Sequence, residues 1–314
     1  MTLEEYQNSG GIALDDQILL VGNSGLYRNF FHLDMTDPTR INFPIGEVRK
    51  WLHRFRVFFR DRRLSLRGIE SGMPIYISNQ DGRLDTLKKL QAVVRRVGDG
   101  LNGRLLVLGK SDLELNDDLL QFFSELDVCV FGNNLNTHDP RAYYMPMGRD
   151  FRGRECHSIA PCCEKTRLVY CNFSLNTHSV RSGLWGMLEG QDFVYSEHMG
   201  SYQNYELTHR EFYQQLGGAK FCVAPRGNAI ETFRMWDSLY AGTIPIVVRE
   251  AVFHRQLEDL PVLFLDSYEQ FSKLSEGYLK DAYSEMLLRD WNYEKLRLNY
   301  WKTKMLEAAS LSIG

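Results

Sequence analysis

Short unbroken apolar runs alternate along this chain with longer stretches in which apolar residues recur at helical spacing. The first run, Gln17-Ile18-Leu19-Leu20-Val21, ends in Gly22-Asn23-Ser24-Gly25, which predicts a strand and its loop. Residues 45–66 carry Trp51, Leu52, Phe55, Val57, Phe58 and Phe59 at helical spacing. Pro74-Ile75-Tyr76-Ile77-Ser78 predicts a strand closed by the turn pair Asp81-Gly82, and residues 84–97 an amphipathic helix. Arg104-Leu105-Leu106-Val107-Leu108 reads as a buried strand and residues 116–126 as a helix. Val128-Cys129-Val130-Phe131 is then a strand ending in Gly132-Asn133-Asn134. Strands alternating with helices in this way predict a mostly parallel, doubly wound sheet.

Residues 139–164 break the rhythm, being rich in Gly, Pro, Arg and Cys with little periodicity, so the domain junction is expected there. The expected division is 1–155 and 156–314. The alternation then resumes with a strand over 168–172, a helix over 179–189, a strand at Phe193-Val194-Tyr195 and a helix over 208–216. Phe221-Cys222-Val223-Ala224 is a strand, 231–240 a helix, Ile244-Pro245-Ile246-Val247-Val248 a strand, 262–265 a last short strand, and 268–309 a helical end. The 314 residues suit two cores of about 150 residues better than one. The predicted fold class is α/β, two Rossmann-like domains facing across a cleft, with the C-terminal helices packing back on the first.

Charge and cysteines narrow the function classes. A net charge of −3 argues against nucleic-acid binding by bulk attraction. No apolar run reaches 18 residues, and the polar, acidic start Met1-Thr2-Leu3-Glu4-Glu5-Tyr6 lacks the layout of a signal peptide, so a cytoplasmic protein is expected. Cys129 and Cys222 sit in apolar strand-like runs as buried thiols. Cys156, Cys162 and Cys163 near His157 raise a zinc site, but the paired C-x-x-C spacing is missing and free thiols are the preferred reading. Arg49, Arg56, Arg60, Arg63 and Arg67 share one helical face. That face is read as a solvated surface, as a peripheral contact with an anionic membrane or lipid-diphosphate acceptor, or as a site for an acidic polysaccharide.

The chemistry concentrates in residues 220–248, which read as strand, polar loop, helix, tight turn and strand. Ligands of open α/β sheets sit beyond the carboxyl ends of the strands, where Pro225-Arg226-Gly227-Asn228 falls. Gly227 permits close backbone approach or a positive φ. The following helix start offers free N–H groups and partial positive charge to a phosphate. Arg226 and Arg234 add forked, charge-assisted hydrogen bonds. Glu231, Arg234 and Asp237 (or Ser238) recur at helical spacing, and a carboxylate there suits both hydroxyls of a ribose. The bland alternative is a surface helix with an i,i+3 Glu–Arg pair.

The segment from Phe221 to Val248 resembles the exostosin-type glycosyltransferase signature: a strand, a Pro/Arg/Gly loop, an Arg-bearing helix with an acidic residue, then Gly-x-Ile-Pro. The resemblance extends to residues 165–188, whose helix carries Arg181, and more loosely to Gly132-Asn133-Asn134 and Pro146-Met147-Gly148. It implies a GT-B fold with the donor held by the C-terminal domain and the acceptor by the N-terminal one. The donor is then a nucleotide-activated sugar, a UDP- or GDP-sugar, and the transfer inverting. Arg181, Arg226, Gly227, Asn228, Glu231, Arg234 and Asp237 form the implied donor site, Arg226 and Arg234 facing phosphate. Asp237 stands where many GT-B enzymes carry a ribose-binding Glu, one methylene shorter. The acceptor is a glycan or glycolipid, in polysaccharide biosynthesis. No Asp-x-Asp occurs in the chain, so transfer without a metal or other cofactor is expected.

Inverting transfer needs a base across from the donor. Candidates at strand ends are His32, Asp34, Asp81, His138 and Asp139, of which Asp81 is selected, although Asp81-Gly82 is also a plain turn former. A non-catalytic sugar- or nucleotide-binding module, a sugar-nucleotide epimerase or hydrolase, and an RNA-binding protein are the competing readings.

Overall fold

A computed structural model describes residues 1–20, 33–34, 75–78, 102, 104–109, 112–150, 156–162, 164–196 and 207–312. The predicted helices over 45–66 and 84–97, the basic face at Arg49 to Arg67, His32 and Asp81 lie outside these residues. The chain divides into two compact units, one of residues 1–18 and 147–301, the other of residues 19–146 and 302–314. The strands are numbered in chain order, the short β1 (Leu19–Leu20) and β7 (Arg149–Asp150) included.

The unit of residues 19–146 and 302–314 holds β2 (Leu33–Asp34), β3 (Ile75–Ser78), β4 (Arg104–Gly109), β5 (Val128–Gly132) and β6 (Ala142–Tyr144), paired in that order and all parallel. Leu106 is the Cα partner of both Ile75 and Val130. β5 is buried along its whole length, as expected of a central parallel strand with both faces covered. The apolar runs at β4 and β5 feed a core of Val107, Cys129, Phe131 and Met145, which Met305 and Ala308 near the end of the last helix (Leu298–Ser312) complete. The helix expected over 116–126 is a single α-turn at Asp117–Leu120 continued by a 3-10 turn, with the Asn116 side chain accepting the Leu119 N–H at 3.0 Å. β6 lies inside the stretch expected to be irregular. It has only three residues between Pro140 and Pro146, too few for a visible alternation.

The unit of residues 1–18 and 147–301 is built on β8 (Arg167–Tyr170), β9 (Val194–Tyr195), β10 (Ala219–Val223), β11 (Ile244–Val248) and β12 (Leu263–Leu265). All its pairings are parallel, in the order β12-β11-β10-β8-β9. From β8 the chain moves outward to the edge strand β9, returns to the other side of β8 as β10, and then proceeds in the opposite direction through β11 and β12. The order therefore reverses between β8 and β10, whose register sets Tyr170 beside Cys222. Such a reversal sends the connections on either side to opposite faces and opens a crevice beyond the carboxyl ends of the two strands. The other sheet runs in chain order, with no reversal among its described strands.

Three helices connect these strands: Val180–Leu188, His209–Gly217 and Phe233–Tyr240. Thr208 opens the second with a complete capping box, its side chain and that of Glu211 each accepting the other residue's backbone N–H. The third begins at Phe233 and not at Glu231, because Thr232 is still extended (φ −130°, ψ 147°). It ends at Tyr240, and Gly242 just beyond it has a φ of +64°, with a Cβ there falling 2.9 Å from Gln7 Cγ, so glycine is required. The N-terminal helix Leu3–Gln7 seals this corner. Gln7 Nε2 donates to Gly242 O at 2.7 Å, Tyr6 OH donates to Tyr240 O at 3.2 Å, and the Tyr6 and Tyr293 rings stack at 4.1 Å.

Candidate donor-binding site

The loops after β8 and β10 meet through one side chain. Arg181, in the first turn of the Val180–Leu188 helix, donates from Nε to Arg226 O at 2.7 Å, from Nη2 to Pro225 O at 3.0 Å and from Nη1 to Ser174 O at 2.9 Å. Arginine suits this because its planar fork presents donors in three directions at once. The group is 7% exposed, and its three hydrogen-bond partners are backbone carbonyls, which leave its positive charge uncancelled. Burial, and next the like charge of Arg234, pull its pKa down to about 10, with Tyr268 acting the other way, so it stays a cation at neutral pH.

Gly227 lies directly against this guanidinium. A Cβ on it would come within 3.1 Å of Arg181 Nη2 and 3.5 Å of Thr177 Oγ1. Of the two reasons offered for a glycine here, close approach is the one that applies, since Gly227 is not among the positive-φ residues. Its N–H bonds to Ala229 O at 2.9 Å, which tightens the loop, and Asn228 stands exposed at the tip.

Two further arginines border the loop. Arg226 Nη1 is 3.8 Å from Glu250 Oε1, and Tyr268 OH donates to Glu250 Oε2 at 3.1 Å. Arg234, in the first turn of the Phe233–Tyr240 helix, lies over the Phe212 ring at 5.2 Å, and its buried Nη1 has no hydrogen-bond partner. At the same helix start Thr232 makes no side-chain cap, and its buried hydroxyl is likewise unpaired. These are unmet donors and positive charge at the crevice between β8 and β10, features that favour an anion.

The two carboxylates of the segment are placed differently from the arginines. Glu231, 1% exposed, accepts Met147 N–H and Trp236 Nε1–H, both at 2.6 Å, and ties the loop to the chain entering β7. Asp237, 5% exposed, pairs with Arg149 Nε at 3.0 Å and accepts Tyr213 OH at 2.7 Å. Burial raises the Asp237 pKa, and Arg149 and then the Tyr213 hydrogen bond work against that rise. Arg149 also donates to Gln17 Oε1 at 3.0 Å and lies over the Tyr213 and Tyr240 rings at 4.7 and 5.1 Å. Tyr213 OH meets His157 Nε2 at 3.2 Å. Asp237 thus joins a buried network, whereas Arg181, Arg226 and Arg234 gather at the strand ends.

Glu250 and Tyr268 are side chains of this corner that sequence reasoning missed. The available signal was position alone, each falling two or three residues past the end of a strand. Asp139, among the candidate bases, is held by Arg141 at 2.7 Å, and its hydrogen bonds from Arg141 lower its pKa. His138 is exposed. Among the described residues no cluster of three or more His, Cys, Asp or Glu side chains is arranged to hold a metal ion.

Residues 156–271 match the family model of the Exostosin GT47 domain. This segment is an exostosin GT47 domain. The match begins before β8 and ends in the Tyr268–Lys273 turn, so the reversed sheet, Arg181, the Arg226 loop, Arg234, Glu250 and Tyr268 all belong to the GT47 domain. The chain therefore carries a glycosyltransferase domain on a mixed α/β framework of parallel sheets. No curated protein matches the chain. Among the described residues no helix is long and apolar enough to cross a membrane.

Proposed function

We propose that the protein is a glycosyltransferase of the GT-B fold class that transfers a sugar from a UDP- or GDP-sugar to a glycan or glycolipid acceptor, with inversion and without a metal. The donor diphosphate occupies the crevice beyond β8 and β10. The observation that carries this reading is Arg181, a buried cation bridging the two loops at the strand-order reversal through backbone carbonyls. Arg226 and Arg234 then supply the guanidinium groups nearest the phosphates, and the uncapped helix start at Thr232 supplies peptide N–H groups.

Such a site stabilises the transition state by neutralising charge where it develops, on the departing nucleoside diphosphate. Arg181 sets the geometry: it fixes the carbonyls of Pro225 and Arg226 and so the direction from which Arg226 and Gly227 approach the ligand. Holding the leaving group still while an acceptor hydroxyl approaches converts a two-body encounter into a positioned one. Asp81 remains the proposed base and Asn228 a contact at the loop tip. The buried pairing of Asp237 favours Glu250 over Asp237 as the carboxylate that meets the donor.

A nucleotide-sugar screen by thermal shift, read on wild type and Arg226→Ala, tests the reading. A UDP- or GDP-sugar is expected to raise Tm in the wild type and to lose most of that effect in the variant. An equal shift in both proteins places the donor elsewhere. Release of nucleoside diphosphate that depends on an added acceptor separates transfer from hydrolysis.

A further inference from the structure

His254 is the third residue of the 3-10 turn Val252–Leu257, which follows Glu250 in the chain, and is 1% exposed. Its Nδ1 accepts two backbone N–H groups, those of Glu250 and Ala251, each at 3.2 Å. An imidazole nitrogen that accepts carries no proton, so the ring is the neutral tautomer with its hydrogen on Nε2. That Nε2 is buried and has no hydrogen-bond partner. The ring is held by Phe253 at 4.2 Å and Phe264 at 5.6 Å between centroids, and the outer neighbour of Phe264 is Arg249 at 4.5 Å.

A histidine is a costly choice if the task were only to cap a short turn. Glu or Gln at this position accepts the same N–H groups with a side chain able to reach water. The histidine leaves an unmet donor in an apolar pocket, which opposes folding. What it provides is rigidity. A planar ring wedged between two aromatic side chains fixes the lone pair, and with it the two peptide planes that lead out of β11 and carry the Glu250 side chain. That carboxylate reaches Arg226 on one oxygen and Tyr268 on the other.

We propose that His254 is a positioning residue of the donor site, whose Nδ1 fixes the Glu250 peptide so that the Glu250 carboxylate is held between Arg226 and Tyr268. The effect on the donor is indirect. Glu250 holds Arg226 at the mouth of the crevice, and His254 sets where Glu250 stands. The inference rests on the donor reading above and adds a residue to it.

The test is a double-mutant cycle on nucleotide affinity, with UDP and GDP as probes titrated into the full chain. His254→Leu removes the acceptor, His254→Asn returns one near the place of Nδ1, and Glu250→Gln removes the charge that His254 is held to aim. His254→Leu is expected to weaken binding by about tenfold, in the range of one or two lost hydrogen bonds. His254→Asn is expected to restore affinity to within about threefold of wild type, and the double variant to bind no more weakly than Glu250→Gln alone. Should His254→Leu fail to fold, His254→Phe takes its place, since its ring keeps the aromatic packing and offers no acceptor to the two N–H groups. Wild-type affinity in all His254 variants, or losses that add to that of Glu250→Gln, overturns the inference. Failure of the donor reading looks different: wild type then binds neither nucleotide, or Arg226→Ala binds as well as wild type.

Discussion

Asp237 and Arg181 are both buried ionic side chains of the GT47 domain, and they call for opposite experiments. Asp237 is matched by Arg149, so its loss strands a guanidinium in the core. Breaking one side of a buried pair costs roughly 3–5 kcal/mol. Asp237→Ala is therefore expected to lower stability by about that much in urea unfolding without any nucleotide. A Tm close to wild type with lost nucleotide binding returns Asp237 to the ribose. Arg181 has carbonyl partners and its burial is itself unfavourable, so Arg181→Ala is expected to cost only about 2 kcal/mol in the same assay. Its larger effect is on nucleotide affinity, because the two loops lose their common tie. Gly227→Ala is the milder version: the methyl displaces the pinned guanidinium and weakens nucleotide binding with little change in unfolding midpoint.

His254 adds a pH dependence at the same scale. Burial, and then the charge of Arg249, push its pKa from 6.5 down to about 4 in the folded protein. The unfolded chain takes up this proton first as pH falls, so the neutral ring contributes stability that is complete above pH 6.5. It is lost progressively from there to about pH 4. Unfolding midpoints of wild type and His254→Asn across that window are expected to converge toward acid. Parallel curves contradict the assignment.

At the scale of elements, the decisive unit is strand, loop, helix, turn and strand from β10 to β11. Its type was legible because β10 and β11 are unbroken apolar runs and the loop between them is polar. Gly242 punctuates the unit, and the structure explains it by a positive φ with Gln7 packed against it. Gly242→Ala is expected to cost about 1–3 kcal/mol through strain and the displaced Gln7, read as a fall in Tm. What helical spacing misjudged is which face the acidic residues occupy. Glu231, Arg234 and Asp237 look like one stripe, but the helix starts two residues late, Glu231 stays in the loop, and Asp237 turns inward to Arg149. Its partner lies 88 residues away in sequence, a distance that periodicity does not report. The strand order was hidden for a similar reason. Nothing in the two residues of β9 states that it lies at the sheet edge, and this placement creates the reversal that makes the site.

For the whole molecule, the sequence carried the family further than the geometry. The signature at residues 221–248 and the helix with Arg181 led to the exostosin resemblance, and the matched segment 156–271 contains both. The α/β class followed from alternating patterns and is met by two parallel five-stranded sheets. Glu250, Tyr268 and His254 were not foreseen, because each acts through a neighbour supplied by another strand end or turn. All three bear on a single place, the crevice beyond β8 and β10.

The location of a bound nucleotide tests that convergence most directly. A crystal structure of the protein with UDP or GDP is expected to show the diphosphate beyond β8 and β10, with Arg226 and Arg234 within hydrogen-bonding distance of its oxygens and Arg181 unmoved on its three carbonyls. A diphosphate bound at the β2–β6 sheet instead, with those arginines facing solvent, contradicts it.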